Sequence, residues 1–247
     1  MKKLDDYLYY EEKNPDLKIY LGDCLAVLPL LPKVDLVVTD PPYGINADLE
    51  MHKKSGQQYG NAAAPKGSYE FSNWDANTPP QEVFELMRLK SKDQIIFGGN
   101  FFELPPTRCV LVWDKQNGTN AFADCELAWT SFDNPIRIKR HLWNGMLRKN
   151  GEDRWSHPTQ KPVEVIKWAI QQCKYWDIPL TILDPFLGSG TTLVACKELN
   201  RNGIGIEISE KYCEIAKKRL RATCRPLFTD ANFVAKSLEQ SQTTLDL

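Results

Sequence analysis

The sequence predicts an α/β fold: one doubly wound, mostly parallel sheet covered by helices on both faces. Three observations predict it. Short apolar runs alternate with stretches of helical periodicity along most of the 247 residues. Runs such as Val34-Asp35-Leu36-Val37-Val38-Thr39 read as strands buried on both faces, which is the habit of a parallel sheet. A glycine-rich turn joins one apolar run to a helical pattern, and a second run ending in a carboxylate follows about twenty residues later.

Taken in chain order, strands are expected at 17–21, 34–39, 94–97, 109–113, 126–130, 180–183 and 203–206, where large apolar side chains cluster. Helices are expected at 81–90, 162–175, 191–200 and 210–222, the second opening on Pro162, whose missing N–H costs nothing in a first turn. Three segments break the rhythm. Residues 45–80 are rich in Gly, Asn, Ala, Ser and Gln and read as a long functional loop inserted into the domain. Residues 134–156 carry Arg137, Lys139, Arg140, Arg148, Lys149 and Arg154 against Glu152 and Asp153, with Trp143 and Trp155 among them. Residues 225–247 form a polar tail, leaving a single domain over 1–224.

Composition narrows the function classes. Hydrophobic residues at 42% and charged residues at 26% suit a globular protein with a real core. A net charge of -1 means that any nucleic-acid surface must be a local basic patch on a neutral body, and 134–156 is the candidate. The seven cysteines are scattered singly with no CxxC pair, so reduced thiols are expected. With only three histidines beside them, no metal site is expected. The start Met1-Lys2-Lys3-Leu4-Asp5-Asp6 lacks the apolar core of a secretion signal, and no run reaches membrane-spanning length; a cytoplasmic protein without membrane contact is expected.

Asp40-Pro41-Pro42-Tyr43-Gly44 follows the run at 34–39, at the strand end where ligands bind in an open parallel sheet. Pro41 and Pro42 fix their own φ and push the preceding residues towards extended conformations, giving a stiff bend that presents one carboxylate, proline carbonyls and one aromatic face. Those are the parts needed to methylate an exocyclic amine of a base. Its lone pair is delocalised into the ring, so accepting its two N–H hydrogens on Asp40 and the Pro41 carbonyl makes the nitrogen more electron-rich. Tyr43 can stack on the ring, and the carboxylate stabilises the positive charge that develops. Asp-Pro-Pro is also ordinary turn chemistry, so the motif needs support from elsewhere.

That support lies in Asp184-Pro185-Phe186-Leu187-Gly188-Ser189-Gly190-Thr191-Thr192, a strand–turn–helix transition where a ligand can approach the backbone and meet helix N–H groups. No lysine follows the glycines, so it is not a P-loop, and Leu193 stands where a dinucleotide fingerprint has its third glycine. Glu207, ending the run at 203–206, is placed to bind both ribose hydroxyls of an adenosine. An acid for ribose without phosphate machinery points to S-adenosylmethionine. Asp23, after the first strand, serves either the adenine amine or the start of a helix. His157-Pro158-Thr159-Gln160-Lys161-Pro162, at another helix start, offers Thr159 and Lys161 to the amino-acid end of the cofactor.

With these residues in view the sequence resembles the amino-methyltransferases of DNA, which act on adenine N6 or cytosine N4. The resemblance rests on DPPY at 40–43, HPTQKP at 157–162, FLGSG at 186–190 and Glu207, and spans roughly 17–222. DPPY precedes the cofactor turn, as in the permuted β group of that family. The resemblance implies a seven-stranded sheet with a reversed hairpin. It implies Asp40, Pro41, Pro42 and Tyr43 at a flipped target base, and Asp23, Asp184, Phe186, Gly188, Ser189, Gly190, Thr191 and Glu207 along S-adenosylmethionine. Aspartate at the first DPPY position is similar to the adenine-N6 enzymes; cytosine-N4 chemistry and an idle DNA-binding relative remain the alternatives. Arg137, Lys139, Arg140, Arg148 and Lys149 would meet DNA phosphates. The interval before HPTQKP that usually carries target recognition is here only 134–156, so readout rests on it and on 45–80. A homodimer and a partner restriction nuclease stay open, and Gln242 with Leu245-Asp246-Leu247 faintly resembles a sliding-clamp peptide.

Overall fold

The computed structural model of the chain describes residues 2–46, 58–59, 62–63, 75–116, 123–143 and 160–224. Nine strands form one sheet: β1 (Leu8–Glu12), β2 (Leu17–Leu21), β3 (Val34–Thr39), β4 (Ser91–Phe97), β5 (Val110–Asp114), β6 (Cys125–Thr130), β7 (Arg137–Arg140), β8 (Thr181–Asp184) and β9 (Asn202–Glu207). Their spatial order is β1-β2-β9-β8-β3-β4-β6-β5-β7. From β2 to β4 every neighbour is parallel, whereas β6 runs antiparallel to both β4 and β5. The seven strands expected from the sequence form the middle of the sheet, and β6 is its reversed member.

The sequence reading missed the two edges. β1, reading Leu-Tyr-Tyr-Glu-Glu, pairs antiparallel with β2. β7, reading Arg-Ile-Lys-Arg, pairs parallel with β5, so the basic segment begins as an edge strand. Charge hides such strands from an apolar-run search, while suiting them to an edge that must not recruit another sheet. A two-stranded hairpin, Gln58–Tyr59 with Ala62–Ala63, lies within the 45–80 insertion.

Among the described residues, five α-helices accompany the sheet: α1 (Cys24–Val27), α2 (Gln81–Lys90), α3 (Val163–Gln171), α4 (Thr191–Glu198) and α5 (Glu210–Ala222). α3 stops short of the expected 175 because its last residues wind tighter: Gln172 and Cys173 donate to carbonyls three residues back, which still buries Cys173. α4 ends ahead of Asn200, whose φ of 54° is the left-handed conformation that closes helices.

Strand alternation divides the core in two. Leu36, Val38, Ile95 and Ile182 point to the face covered by α3, α4 and α5, where they meet Ile166, Ile170, Leu193, Ala216 and Leu220. Val37, Ile96 and Leu183, one residue along, point to the face of α1 and α2 and meet Val27, Val83, Phe84 and Met87. Each such side chain, buried completely, contributes about 1.5–3 kcal/mol. α4 is buried from Thr191 through Lys197, as a helix packed between α3, α5 and the sheet must be. Among the described residues no helix is long and apolar enough to cross a membrane.

The topology fixes where chemistry can occur. β3 passes through α2 to β4 on one side, and β8 passes through α4 to β9 on the other, so the chain leaves the β8–β3 seam in opposite directions. A crevice opens at the carboxyl ends of such a seam. Thr39 Oγ1 bridges it, donating to Asp184 Oδ1 at 2.7 Å.

Candidate active site

The loop after β3 is held from behind. Asp75, 1% exposed, lies in the last stretch of the 45–80 insertion; its Oδ1 accepts the backbone N–H of Tyr43 at 2.6 Å and of Gly44 at 3.0 Å. Its carbonyl accepts from Asn46 N at 3.0 Å. The bend that the two prolines stiffen is therefore fixed to the far end of the insertion.

Tyr43 lies against Phe101, ring centroids 4.8 Å apart and planes 12° from parallel, with Phe102 edge-on at 6.1 Å. Space for the ring comes from Gly98, directly after β4. At its φ of +68° an added Cβ would stand 2.1 Å from Tyr43 Cε1. The Tyr43 hydroxyl donates to Asp40 Oδ1 at 2.5 Å.

Asp40 Oδ2 is paired with the Lys161 ammonium. Lys161, 7% exposed, also donates to the Tyr43 hydroxyl at 3.2 Å and lies 3.1 Å from Glu126 Oε2. Glu126, on the reversed strand β6, is held through Oε1 by Lys115 at 2.6 Å. The four charges alternate: Asp40, Lys161, Glu126, Lys115. Burial pushes the Asp40 carboxyl above the usual carboxylate range, although Lys161 pulls against it. Burial alone would weaken the hold of Lys161 on its proton, but Asp40 and Glu126 outweigh it and keep the ammonium charged well beyond its ordinary range. Burial likewise opposes charge on Glu126, and Lys161 with Lys115 reverses that, holding the carboxyl below its usual value. The Tyr43 phenol is pushed well up by burial and by Asp40.

Across the seam, the glycine turn is built on Glu207 and Arg219. Glu207, at the end of β9, accepts Gly188 N–H on Oε2 at 2.7 Å and Ser209 N–H on Oε1 at 2.8 Å; burial raises its pKa. The Arg219 guanidinium, 5% exposed, donates to Ser189 O at 2.7 Å, Ser189 Oγ at 2.9 Å and Thr191 Oγ1 at 3.0 Å. Burial brings its pKa down to about 10. Gly190, at φ +86°, passes so near α5 that a Cβ would stand 2.7 Å from that of Ala216. Asp184 faces inward: besides Thr39 it accepts from Thr192 Oγ1 at 2.6 Å and Phe186 N at 3.1 Å, and burial pushes it up to about 6. It ties the two strands together rather than facing the crevice.

Asp23 caps α1, accepting Leu25 N–H at 2.8 Å, and stands beside Glu207 because Gly22 N donates to the Glu207 carbonyl at 2.9 Å. Phe186 packs with the α1–α2 core. Lys161, expected near the cofactor, points instead to Asp40. Thr159, Arg148 and Lys149 lie outside the described residues. Arg137, Lys139 and Arg140 do not share a face: alternation along β7 sets Arg137 and Lys139 opposite to Ile138 and Arg140, and Arg140 is paired with Asp114 at 3.4 Å. A cavity of about 280 Å³ between α3, α4 and α5, lined by Trp143, Gln160 and Arg219 among others, includes neither Asp40 nor Glu207.

Glu126, Lys115, Asp75, Gly98 and Arg219 escaped the sequence reading. Glu126 alone left a signal, a charge at the head of an otherwise apolar strand.

The chain is similar to known DNA methyltransferases. The N6/N4 DNA methylase family profile matches residues 112–218. Type II methyltransferase M.BglII of Bacillus subtilis is 30% identical over 281 residues, covering 87% of this chain and 76% of that protein. The M1.HpyAVI–SAM complex superimposes with a TM-score of 0.51 at 22% identity, over 83% of this chain and 98% of the other. The cytosine-N4-specific PvuII DNA methyltransferase does so with a TM-score of 0.53 at 15% identity, over 82% and 86%.

Proposed function

The chain belongs to the N6/N4 family of DNA methylases, and on that premise we propose that it transfers a methyl group from S-adenosylmethionine to N6 of an adenine swung out of duplex DNA. One observation carries the reading: Asp40 with Tyr43 and Glu207 with its glycine turn occupy neighbouring strand ends at the seam joined by Thr39 and Asp184.

The residues present fit the cofactor. Each Glu207 oxygen accepts one backbone N–H and keeps a lone pair for a ribose hydroxyl, and Gly188 leaves its backbone open to close approach. Asp23, beside Glu207, accepts from the adenine amine with the oxygen that does not cap α1. Phe186, with the Ser189-Gly190-Thr191 turn that Arg219 holds, would line the adenosine of the bound cofactor. Bound there, S-adenosylmethionine supplies a methyl group on a positively charged sulfur.

On the base side, Asp40 and the Pro41 carbonyl accept the two amine hydrogens while Pro42 keeps the bend rigid. Tyr43, held in place by its stack on Phe101, holds the ring plane. Asp40 stabilises the charge that grows on nitrogen. The target must leave the duplex first, because its amine is engaged in pairing. Alignment of amine and methyl in one crevice then supplies much of the rate. Arg137 and Lys139, on one face of the edge strand, neutralise phosphates together with Arg148 and Lys149 further along the chain, while Arg140 stays with Asp114.

The test is nucleoside mass spectrometry of unmethylated DNA incubated with the protein and S-adenosylmethionine, with Asp40→Ala as control. N6-methyladenine that disappears in the variant, while cofactor affinity persists, is the expected result. N4-methylcytosine would correct the base; no methylated base despite bound cofactor would refute the reading.

A further inference from the structure

The Lys161 ammonium stands where the substrate's amine has to be. It donates to Asp40, contacts the Tyr43 hydroxyl and lies 5.6 Å from the centroid of the Tyr43 ring. It is an N–H donor on the acceptor that the target amine needs. A carboxylate neutralised by an ammonium is a poorer acceptor for an amine acquiring positive charge, and the ammonium itself repels that charge. Lys161 must therefore let go of Asp40 before transfer. Released into a site where it is only 7% exposed, it would be a buried charge without a counter-ion, a costly state.

Glu126 removes that cost. Its Oε2 already lies 3.1 Å from Lys161 Nζ, is buried and accepts no well-directed hydrogen bond. Lys115 fixes the other oxygen at 2.6 Å, so the acceptor is anchored and need not move. A small swing of one side chain transfers the ammonium from Asp40 to Glu126 without changing the net charge of the cluster. Resting on the base-methylation reading above, we infer that Glu126 is a positioning residue, which takes over the Lys161 ammonium when the target amine claims Asp40.

The experiment combines Glu126→Gln, Lys161→Met and the double variant, using the site found by sequencing the methylated product. A glutamine cannot balance Lys161, so Glu126→Gln leaves the ammonium on Asp40. Its kcat should fall roughly a hundredfold while the affinity for S-adenosylmethionine, measured by calorimetry, is retained. Adding Lys161→Met should recover at least about tenfold of that loss, because the blocking group is gone. Binding supplies a second readout. The wild type should prefer a duplex with adenine at the target over one with purine, which lacks the amine, by roughly tenfold. Glu126→Gln should lose this preference and the double variant regain it. Full activity of Glu126→Gln, or a double variant no better than Glu126→Gln, would overturn the inference. If Glu126→Gln does not fold, Glu126→Asp, which keeps the charge but withdraws it from Lys161, takes its place: kcat reduced at least about tenfold with cofactor affinity retained supports the inference, and full activity overturns it. A wild type that methylates no base would instead sink the parent reading, and this inference with it.

Discussion

Gly98 couples the end of β4 to the position of Tyr43, and its replacement by alanine tests how tightly that ring is held. The new Cβ would stand 2.1, 2.5 and 2.7 Å from Cε1, Cζ and Cδ1 of Tyr43. Carbon contacts relax to about 3.5–4.0 Å, so the ring must retreat by roughly 1.5 Å. It cannot do so freely, since Phe101 stacks on it and its hydroxyl is tied to Asp40. The backbone also resists: at φ +68° an alanine costs about 1–2 kcal/mol, of which about 0.4–1 is returned by the stiffer unfolded chain. Gly98→Ala should therefore lose only about 1 kcal/mol from backbone strain in a urea melt. Its single-turnover methylation rate should fall by roughly 10²-fold, the scale of an ångström-sized misplacement. Cofactor affinity should not change, because the Glu207 turn lies on the other side of the seam. A folded variant transferring methyl within about threefold of the wild-type rate would refute the claim that Tyr43 acts from a fixed position.

Asp184 predicts a pH dependence of stability. Its carboxyl is raised from 3.8 to about 6 by burial, so the folded state binds this proton more tightly than the unfolded chain does. Its favourable contribution is complete below the unfolded value and is lost as pH rises through about 6, amounting to about 3 kcal/mol. Denaturation of wild type and Asp184→Asn from pH 4 to 8 should show the wild type losing stability relative to the variant over that window; a constant difference would contradict the assignment. For the edge strand, replacing Arg137 and Lys139 together by alanine should reduce the slope of log K against log salt for duplex DNA by about 2, with little sequence dependence. An unchanged slope would remove β7 from the DNA surface.

The parts of this fold that are legible in the sequence are those whose signal is burial. β2 and β3 were delimited to the residue, as were α2 and α5, because apolar runs and helical stripes stop where the core stops. β1 and β7 are invisible to that logic, since an edge strand needs only partners and its side chains stay wet. In the site, Asp40, Tyr43 and Glu207 stood out because prolines, glycines and strand ends mark them. Their supports are harder to see: Asp75 and Arg219 acquire meaning only from a partner many residues away, and Glu126 shows only as a charge at the head of an otherwise apolar strand. Arg219 is separated from Ser189 by 30 positions, and in α5 it reads as one more solvent-facing cation. Lys161 was noticed for its motif, but its neighbour was legible only in three dimensions.

The seam between β3 and β8 also has an evolutionary consequence. The ends of β3 and β8 are locked together by strand register and by the hydrogen bonds of Asp184, all within the sheet itself. Among the described residues, the 45–80 insertion is tied to this frame through Asp75, and the basic segment begins along its outer strand β7. Changes of length in either segment that spare Asp75 and β7 are expected to leave the register of the seam intact. On the proposed function, a lineage built this way would change its target by altering that periphery while keeping the seam.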